Sequence, residues 1–573
     1  MTATPTSPDR SVRLADFATL TEALDFAATG ETGVNLYSLR GELLCALPYA
    51  TLRDEARALA ARMLAAGLTK GDRVGLAAET DADFVRSFFA CQYAGLIPAP
   101  LPLPAPLGGK AAYVEQIGRM LTGAHATAVF GPEALAPWLQ EAADIAGARL
   151  TGSIAALPEA SATDLPQIQA DDTCYLQFSS GSTRNPAGVE VTHRALMANA
   201  QAITRDGLKV TAPDRAVSWL PLYHDMGLVG FLLSPLCAQM SLDLLPTGAF
   251  VRRPLLWLDL IGRNGGTISY SPTFGYELCA RRAETAGVAG LNLANWRVAG
   301  VGGDMVRTKP LLDFATRFAD AGFDPTAYVA SYGMAEATLG LTMAPLGKGL
   351  RAETLDVDRL EQDAVAVNSE TAERRRAFAR CGPPLAHHEL EVRDEDGAVL
   401  GERQVGHIFA RGPSLMRGYF RQPEETARVM SADGWLSTGD LGFIVEGEIV
   451  LTGRAKDLIL VNGRNVWPQD LEWSAEAEID VLRSGDVAAI SVTRNADEET
   501  VVILVQCRTS APEPRAKLVE DVTALMRARH GLETKVQLVG AHALPQTSSG
   551  KLSRSKAKTL FLAGAFGAAA ETV

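Results

Sequence analysis

The chain has 573 residues, which at roughly 150 residues per domain allows three or four domains or subdomains. Its 47% hydrophobic and 21% charged residues are typical of a globular protein and exclude a disordered or collagen-like chain. With 54 Lys and Arg against 67 Asp and Glu, the formal net charge is −13. This acidic balance argues against a nucleic-acid-binding protein that works through a basic surface, and against attachment to anionic membranes through Lys and Arg.

The cysteines and the apolar runs indicate the compartment. The seven cysteines are scattered and form no Cys-x-x-Cys pair, which argues against a disulfide framework or a cysteine zinc site. The N-terminus lacks a basic region followed by an apolar stretch. The apolar runs at 228–240 and 560–570 are shorter than the roughly 20 residues that a membrane-spanning helix needs. We therefore expect a soluble, cytoplasmic protein without a membrane span.

Helix and strand signals alternate along the first half of the chain. Residues 1–12, rich in Thr, Ser, Pro and Asp, are expected to be disordered. Thr51 is a candidate N-cap for a helix that ends at Gly67, with apolar residues three or four positions apart. A strand over 72–78, a helix with three phenylalanines and a strand over 95–99 follow. Strands separated by helices of this length predict βαβ units and mostly parallel sheets.

The pattern changes in the second half. From 389 to 447, short strands separated by Gly and Asp turns indicate a more antiparallel, barrel-like module. The chain beyond this module predicts a compact α+β domain, so we expect a large domain over 13–455 and a small domain over 456–573. The charged stretch 347–380 contains three consecutive arginines, a composition typical of a solvated loop or a surface helix.

The segment Leu176–Gly188, LQFSSGSTRNPAG, has the strongest chemical signal. An apolar strand leads into a loop of serines and glycines, whose backbone N–H groups and hydroxyls can bind phosphate oxygens. It is not a Walker loop, because no Gly-Lys-Ser/Thr follows. Taken alone, this loop does not distinguish a phosphate-binding site from a plain turn.

Further motifs follow it in a fixed order. They are WLPLYHDMG (219–227), VGGD (301–304), SYGMAEAT (331–338), WLSTGDLG (435–442), GRAKD (453–457), VNGRNVWPQD (461–470) and LPQTSSGKL (544–552). In this order and spacing the motifs resemble those of the adenylate-forming superfamily, which includes acyl-CoA synthetases, nonribosomal-peptide adenylation domains and firefly luciferase. Within it they are most similar to the fatty acyl-AMP ligases. The resemblance extends from about residue 36 to residue 556.

The resemblance implies an α/β fold. Its large N-terminal domain would contain two mixed or parallel sheets with helices and a small β-barrel-like subdomain, and its small α+β C-terminal domain would be mobile. It also implies ATP as a substrate, and a loop that holds the ATP phosphates through Ser179, Ser180, Gly181, Ser182, Thr183 and Arg184. Arg184 replaces the glycine, and Ala187 the lysine, that are usual in the superfamily, but the fatty acyl-AMP ligases are similar at both positions. The guanidinium group can supply the positive charge of the missing lysine.

The other nucleotide contacts are likewise implied by the resemblance. Glu336 matches the magnesium-associated glutamate, and a hard carboxylate oxygen suits Mg²⁺ bound to phosphate. The residues expected to bind adenine or ribose are Gly302, Gly303, Asp304, Tyr332, Asp440 and Arg454. We expect the small domain to rotate about a hinge at Lys456 and Asp457.

Lys551 is the residue that we expect to carry the chemistry. The reaction joins a carboxylate to the α-phosphate of ATP and expels pyrophosphate, so two anions must meet while negative charge builds at phosphorus. An ammonium group placed between them stabilises the transition state more than the bound substrates. His224 is either a catalytic positioning or gating residue, or a structural histidine, since no zinc spacing or Ser-His-Asp order accompanies it.

The sequence gives the least information about the acyl group and its acceptor. The expected acyl pocket contains Trp219, Met226, Gly227, Phe274 and Tyr276, although the last two could equally fill the core. The resemblance implies a fatty acid substrate and transfer to the phosphopantetheine thiol of a holo acyl carrier protein. In the fatty acyl-AMP ligases an insertion, here 347–380, restrains the small domain, and we expect it to dock against that domain.

Three alternatives stay open. A fatty acyl-CoA synthetase that uses free coenzyme A shares the same first half-reaction. An amino-acid-activating domain is disfavoured, because no acidic partner for an α-amino group is evident in the pocket segments. A catalytically dead nucleotide-binding scaffold is disfavoured by the intact set of Glu336, Asp440 and Lys551.

Overall fold

The architecture is that of a computed structural model, which describes the chain except residues 1, 7–11, 105–108, 161–163, 179–186, 462–463, 496–497, 548–550 and 568–573. The chain groups into two compact units. The first comprises Met1–Arg351, Ala379–Leu390 and Ala410–Leu436, and the second comprises Ala352–Phe378, Glu391–Phe409 and Ser437–Val573. The second unit thus takes in segments that precede residue 455, and the domain boundary at that residue stays a prediction.

The helices alternate with strands along most of the chain. In chain order they are α1 (Leu20–Ala27), α2 (Tyr49–Ala65), α3 (Ala82–Ala94), α4 (Gly109–Ala124), α5 (Ala136–Ala146), α6 (His193–Gln201), α7 (Asp225–Leu228), α8 (Ser234–Cys237), α9 (Thr247–Arg252), α10 (Leu255–Asn264), α11 (Thr273–Ala286), α12 (Thr308–Arg317), α13 (Val357–Asp363), α14 (Pro423–Val429), α15 (Pro468–Glu478), α16 (Pro512–His530) and α17 (Arg554–Leu562). Within the described ranges, none of these helices is both long and apolar enough to cross a membrane.

The strands are mostly short. In chain order they are β1 (Gly33–Tyr37), β2 (Leu43–Pro48), β3 (Arg73–Ala77), β4 (Ile97–Leu101), β5 (Ala128–Phe130), β6 (Leu150–Gly152), β7 (Thr173–Phe178), β8 (Gly188–Thr192), β9 (Arg215–Ser218), β10 (Ser241–Leu244), β11 (Ile268–Ser271), β12 (Val298–Val301), β13 (Tyr328–Gly333), β14 (Gly340–Met343), β15 (Ala352–Asp356), β16 (Arg375–Ala379), β17 (Glu389–Arg393), β18 (Gly406–Arg411), β19 (Gly418–Tyr419), β20 (Leu436–Val445), β21 (Glu448–Arg454), β22 (Ile459–Val461), β23 (Arg464–Val466), β24 (Val487–Asn495), β25 (Glu498–Cys507) and β26 (Thr534–Gly540).

Two large sheets organise the first unit. One has the order β14-β13-β12-β11-β9-β10-β1-β2 and the other β4-β3-β5-β6. The second sheet is parallel throughout, and the first is parallel except where β2 and β14 pair antiparallel at its two edges. A third sheet, β19-β8-β7, is antiparallel. The parallel βαβ arrangement predicted from the sequence is confirmed.

Local sequence explains why these elements begin and end where they do. Helix α3 begins after Asp81, whose carboxylate accepts a hydrogen bond from the backbone N–H of Phe84 at 2.8 Å. It ends at Gly95, whose φ of +66° is the left-handed conformation that glycine adopts without strain. Because both signals are local, they are readable from the sequence alone.

Aromatic side chains fill the core beside the large sheet. The rings that contact one another there are Trp257, Tyr276, Trp296, Phe314, Phe323 and Tyr328, with centroids 5.0–6.2 Å apart. Most pairs meet edge to face, the geometry that aromatic quadrupoles favour. This core supports the strands that carry the motifs described below.

The second unit combines two kinds of sheet. Strands β17-β18-β20-β21 form a four-stranded sheet, which corresponds to the barrel-like module expected near residues 389–447. In the C-terminal region β24-β25-β26 form a sheet against which α15, α16 and α17 lie, which is the predicted α+β arrangement. The predicted fold class is therefore confirmed in both parts.

Three local expectations differ from the structure. Among the first twelve residues, Thr4 is buried and its backbone N–H donates to Asn35 at 2.8 Å, so this described part is not disordered. Helix α2 starts at Tyr49 rather than after Thr51, because Pro48 ends the preceding strand with an extended ψ of 145°. The charged stretch is not a solvated loop, since it forms β15, α13 and β16, and the α13 residue Glu361 is only 1% exposed.

Candidate active site

Four motifs follow the carboxyl ends of adjacent parallel strands in the first unit. Strands β9, β11, β12 and β13 are neighbours in the large sheet and run in the same direction. They lead into the HDMG segment, the SPTFGY segment, the GGD segment and the Glu336 segment, respectively. In open α/β sheets, ligands bind outside the carboxyl ends of the strands. The topology therefore brings these four segments to one edge of one sheet.

Glu336 lies on the short 3-10 turn Ala335–Ala337, directly after β13. Its carboxylate Oε1 accepts a hydrogen bond from the phenol of Tyr419 at 2.9 Å, and its carbonyl accepts one from the backbone N–H of Met416 at 2.8 Å. The side chain is half-buried. Burial and the neighbouring charge of Glu336 raise the pKa of the Tyr419 phenol, which stays protonated at every physiological pH and acts as a donor.

The turn that carries Glu336 is strained and is held from outside. Thr338 adopts φ +68° and ψ −55°, which is unusual for a residue other than glycine. Its hydroxyl donates to the carbonyl of Ser414 at 2.7 Å, and the Ser414 hydroxyl donates to the carbonyl of Ala337 at 3.1 Å. His388 Nε2 lies 2.6 Å from the same hydroxyl, and burial lowers the pKa of this histidine. A buried network therefore sets the backbone beside Glu336.

The residues expected on the adenine side lie after β12 and on β13. Gly303 has a φ of +78°, and a Cβ built there would come within 3.2 Å of the Met226 side chain. Asp304 is exposed, and its carboxylate accepts from the backbone N–H of Met305 at 2.8 Å. Tyr332 is 6% exposed and pairs with Thr342 of β14. Gly303 thus lies next to Met226, a residue of the predicted acyl pocket.

His224 is the N-cap of the short helix α7. Its Nδ1 lies 2.6 Å from Oδ1 of Asp225, which is 9% exposed and also accepts from the backbone N–H of Met226 at 2.7 Å. This arrangement fixes the imidazole through Nδ1, which orients the other ring nitrogen as in other carboxylate–histidine pairs. The structure therefore gives His224 a defined orientation and leaves its catalytic role a prediction.

The predicted acyl-pocket residues divide into core and part-exposed positions. Trp219 stacks on Phe250 with centroids 3.8 Å apart and meets Phe274 edge to face at 5.7 Å. Phe274 is half-buried, whereas Tyr276 has no exposed surface and donates its phenol hydrogen to the carbonyl of Gly300 at 2.9 Å. These surroundings are those of a core residue for Tyr276, one of the two alternatives that the sequence left open. Phe274 stays a candidate for the pocket wall.

Gly227 of the same segment is required by packing. A Cβ there would lie 2.1 Å from the carbonyl oxygen of Pro221, far inside van der Waals contact. Helix α7 leads into a π-helical turn at Val229–Leu233, and π-turns are often found at functional sites. The close backbone approach explains why the motif carries glycine at this position.

The remaining nucleotide contacts belong to the second unit. Asp440 and Arg454 are cross-strand partners on β20 and β21, and Arg454 Nε lies 3.2 Å from Oδ1 of Asp440. The Asp440 side chain is 11% exposed and that of Arg454 is 53% exposed. The strand register thus brings together the two residues that we expect to contact the ribose.

Lys551 is hydrogen-bonded to Thr547. Its carbonyl accepts from the backbone N–H of Thr547 at 2.7 Å, and Gln546 forms a β-bridge with Leu552. Residues 548–550 lie outside the described residues, and the side chain of Lys551 is half-buried. Lys551 lies three residues before the start of helix α17.

Arg554, the first residue of α17, contacts a residue of the predicted hinge. Arg554 donates two hydrogen bonds to Glu472, at 2.6 and 2.7 Å, and one to Asp457 at 2.9 Å. Burial by itself lowers the pKa of Arg554. The charges and hydrogen bonds of both carboxylates raise this pKa by more, so the net shift is upward. Lys456 and Asp457 themselves lie on the 3-10 turn Ala455–Asp457.

The predicted phosphate-binding residues Ser179, Ser180, Gly181, Ser182, Thr183 and Arg184 all lie outside the described residues. Strand β7 leads into this segment and β8 follows it from Gly188. In the described part of the chain, no cluster of three or more His, Cys, Asp or Glu side chains could hold a metal ion. Magnesium that travels with nucleotide phosphates needs only one or two carboxylates, and the Glu336 carboxylate has the hard oxygen chemistry for this.

Comparison with known proteins decides the family. The chain matches the family of AMP-binding enzymes over residues 43–420. It belongs to this family. It is 66% identical over 565 residues to a Caulobacter vibrioides protein with the provisional name of an acyl-CoA synthetase, covering 98% of this chain and 99% of the relative.

Two further similarities narrow the comparison. The chain is 31% identical over 570 residues to the medium-chain-fatty-acid–[acyl-carrier-protein] ligase JamA of Moorena producens, covering 96% of each. A solved structure from work on fatty acyl-adenylate ligases of E. coli and L. pneumophila matches with a TM-score of 0.93 and 42% identity, covering 97% of this chain and 100% of that one. The resemblance to fatty acyl-AMP ligases, the adenylate-forming fold and the assignment as an enzyme are therefore confirmed.

Sequence reasoning missed the residues that support the site. Tyr419 and Ser414 contact the Glu336 turn, and His388 contacts the Ser414 hydroxyl. All three lie 50 or more residues from Glu336 in the chain, so no local spacing signals them. Only a motif can be read locally, whereas its supports depend on tertiary folding. The positive φ of Thr338 likewise has no signature in the sequence, because threonine is not a residue that favours it.

Proposed function

We propose that the protein activates a fatty acid as its acyl-adenylate, using ATP and Mg²⁺ and releasing pyrophosphate, and then transfers the acyl group to the phosphopantetheine thiol of an acyl carrier protein. The observation that carries the proposal is the Glu336 carboxylate, oriented by Tyr419 at the carboxyl edge of the parallel sheet in a chain of the AMP-binding family. The free state of all seven cysteines is consistent with our placing the activity in the cytoplasm.

In the first half-reaction the substrate carboxylate attacks the α-phosphorus of ATP, a P–O bond forms, and pyrophosphate leaves. Magnesium, when bound, neutralises phosphate charge, and Glu336 is the residue that would hold it. Lys551 stabilises the charge that builds at phosphorus, and Asp440 with Arg454 holds the ribose. Gly302, Gly303, Asp304 and Tyr332 form the adenine side, and the HDMG segment with Phe274 lies towards the acyl group.

In the second half-reaction the thiol sulfur attacks the acyl carbonyl carbon, a thioester forms, and AMP leaves. The JamA relative is named as a ligase that uses an acyl carrier protein, whereas the Caulobacter relative is named as an acyl-CoA synthetase. The two names imply different acceptors. A choice between a carrier protein and coenzyme A therefore needs an observation on this chain.

The contacts of the charged stretch 347–380 bear on this choice. Within the second unit, Arg376 Nη1 lies 2.5 Å from Oδ1 of Asp470, with both side chains 9% exposed. The Arg376 guanidinium also lies over the ring of Trp473, 4.7 Å from its centroid. These contacts join the segment Ala352–Phe378 to the C-terminal region, as expected of an insertion that restrains the small domain, and they support the carrier-protein acceptor.

The test of the reaction supplies labelled fatty acids, ATP and Mg²⁺ with either coenzyme A or a panel of holo carrier proteins. We expect adenylate to accumulate with coenzyme A, and acyl carrier protein to form when the correct carrier is present. Rapid acyl-CoA formation would favour the runner-up, a fatty acyl-CoA synthetase. Absence of fatty-acid-dependent ATP–pyrophosphate exchange would contradict the adenylation itself.

The test of the acceptor uses the insertion. Arg376→Ala breaks the buried pair with Asp470, and deletion of residues 352–378 removes the segment; both should increase acyl-CoA formation while adenylate formation persists. The matched control is Arg297→Ala, which breaks the pair with the 2% exposed Asp214 in the first unit, 2.6 Å away. A gain of coenzyme A activity in the control as well, or in neither insertion variant, would contradict the role of the insertion.

A further inference from the structure

The segment Met416–Phe420 contacts Glu336 twice. The Tyr419 phenol donates to the carboxylate at 2.9 Å, and the Met416 backbone N–H donates to the Glu336 carbonyl at 2.8 Å. One short piece of chain therefore orients both the backbone and the side chain of the residue. We propose that Tyr419 is a positioning residue, which holds the Glu336 carboxylate in the orientation that receives the magnesium ion of Mg·ATP. This inference rests on the proposed function.

The same segment is bonded to the strand that follows the predicted phosphate-binding residues. Tyr419 pairs with Val189 and Gly418 pairs with Glu190 in antiparallel register. The backbone N–H of Phe420 donates to the carbonyl of Gly188 at 2.8 Å. The segment Met416–Phe420 thus contacts both Glu336 and Gly188, the residue from which β8 begins, so it can coordinate the positions of the two.

The backbone of Tyr419 is itself fixed. Its N–H donates to the hydroxyl of Thr426 at 2.9 Å, and that hydroxyl donates to the carbonyl of Gln422 at 2.9 Å. A Cβ at Gly418 would lie 2.9 Å from the Thr426 side chain, so glycine is needed for this approach. A phenol on a fixed backbone restricts the rotamers of its carboxylate partner.

The chemistry of the pair suits this role. A phenol can only donate to an ionised carboxylate, and it occupies one lone-pair direction of one oxygen while a carboxylate has about four in total. The phenol can therefore stay bound when a cation arrives, unlike a lysine or arginine, whose positive charge would oppose the ion. Tyrosine orients the carboxylate without competing for its charge.

The test compares Tyr419→Phe with wild type by isothermal titration with ATP, without fatty acid, in excess Mg²⁺ and in excess EDTA. We expect Mg·ATP to bind about tenfold more weakly, the factor that corresponds to one hydrogen bond to a charged group at the low end of its range. ATP in EDTA should bind as it does to wild type. The matched control is Tyr49→Phe, which loses a buried phenol hydrogen bond of 2.8 Å to the carbonyl of Met240, and it should change neither affinity.

Equal weakening with and without Mg²⁺, or no weakening at all, would overturn the inference. A double-mutant cycle guards against a folding defect, because Tyr419→Phe should have no further effect on Mg·ATP binding when Glu336→Gln is already present. An additive loss in the double variant would also overturn it. Failure of the proposed function would be detected separately, as the absence of fatty-acid-dependent pyrophosphate exchange in the wild type. The magnesium-dependent change in ATP affinity could still be measured in that case.

Discussion

Glu361 lies at the centre of a buried charge cluster that joins the insertion to the C-terminal region. Its carboxylate accepts two hydrogen bonds from Arg374, each 2.8 Å, and one from Arg464 at 2.7 Å. Its side chain has no exposed surface. Arg374 belongs to the insertion and Arg464 to the C-terminal region, so Glu361→Gln removes the charge that both guanidinium groups share.

The expected size of the effect follows from these contacts. Removing one partner of a buried ion pair costs about 3–5 kcal/mol, because the other charge is left uncompensated. Burial by itself lowers the pKa of Arg374. The hydrogen bonds and charges of Glu361 and Asp358 raise this pKa by more, so the net shift is upward. Because Asp358 stays 2.6 Å from Arg374, we expect the lower end of the range, about 3 kcal/mol.

The assay is urea unfolding combined with amide hydrogen exchange, which separates the second unit from the first. Protection should fall in α13, β23 and α15 and should persist in the parallel sheet of the first unit. Glu141→Gln is the matched control, since its partner Lys110 lies 2.6 Å away on the surface with both side chains about half exposed, and it should leave protection unchanged.

Two results would refute the reasoning. Unchanged protection in Glu361→Gln would mean that the cluster contributes no stability. Arg374→Met and Arg464→Met combined with Glu361→Leu test the cause, because replacing all the charges of a buried triad by apolar groups of similar size is often neutral. If that triple variant is no more stable than Glu361→Gln, the loss does not come from an uncompensated charge.

Three other predictions concern the reaction, pH and packing. Lys551→Ala should slow adenylation by about 10²–10³, the effect of one preorganised transition-state donor, measured as fatty-acid-dependent pyrophosphate exchange. His530, with Nε2 2.8 Å from the Ser474 hydroxyl, has its pKa lowered to about 4, chiefly by burial. Below pH 6.5 the unfolded state binds a proton at His530 and the folded state does not, so the free energy of unfolding should fall by about 3 kcal/mol as the pH falls from 6.5 to 4. In urea unfolding, His530→Gln should abolish this pH dependence. Gly300→Ala places a Cβ 2.2 Å from the ring of Tyr270 and should lower the free energy of unfolding by about 1–3 kcal/mol, checked by thermal unfolding.

Local signals predicted the elements whose ends are set by their own residues. Helix α3 lies where its phenylalanines predicted it, whereas Gly95, assigned to the next strand, is the C-cap of the helix and β4 begins at Ile97. The start of α2 was missed because Thr51 is a good cap by composition, whereas Pro48 fixes the turn into the helix. Parallel sheet order is not a local property, although the alternation of strands and helices predicts its class.

The charged insertion shows why composition alone misleads. A run of three arginines is normally solvated, yet Arg374 and Arg376 have only 15% and 9% exposed side chains. Their carboxylate partners are Glu361 within the insertion and Asp470 far along the chain. A buried charge is stable only when it is paired with an opposite charge, and the tertiary structure is needed to identify that partner. A functional role for this stretch was expected from the resemblance to a family and not from its residues alone.

The two half-reactions place different demands on the same residues around position 457. We expect the small domain to rotate about a hinge at this position, and residues before position 457 are tied to residues after it by the ion pairs Arg376–Asp470 and Glu361–Arg464. We expect rotation to separate these pairs. Because both charges of a separated pair regain water, the free-energy cost is smaller than that of deleting one partner of a buried pair. Under the proposed function, the free energy that offsets this cost comes from the acceptor. A carrier protein can supply it through an interface of roughly 800 Å² on each partner, whereas a diffusing coenzyme A has far less surface to offer. We therefore predict that weakening either ion pair shifts the proposed preference for a carrier protein towards coenzyme A.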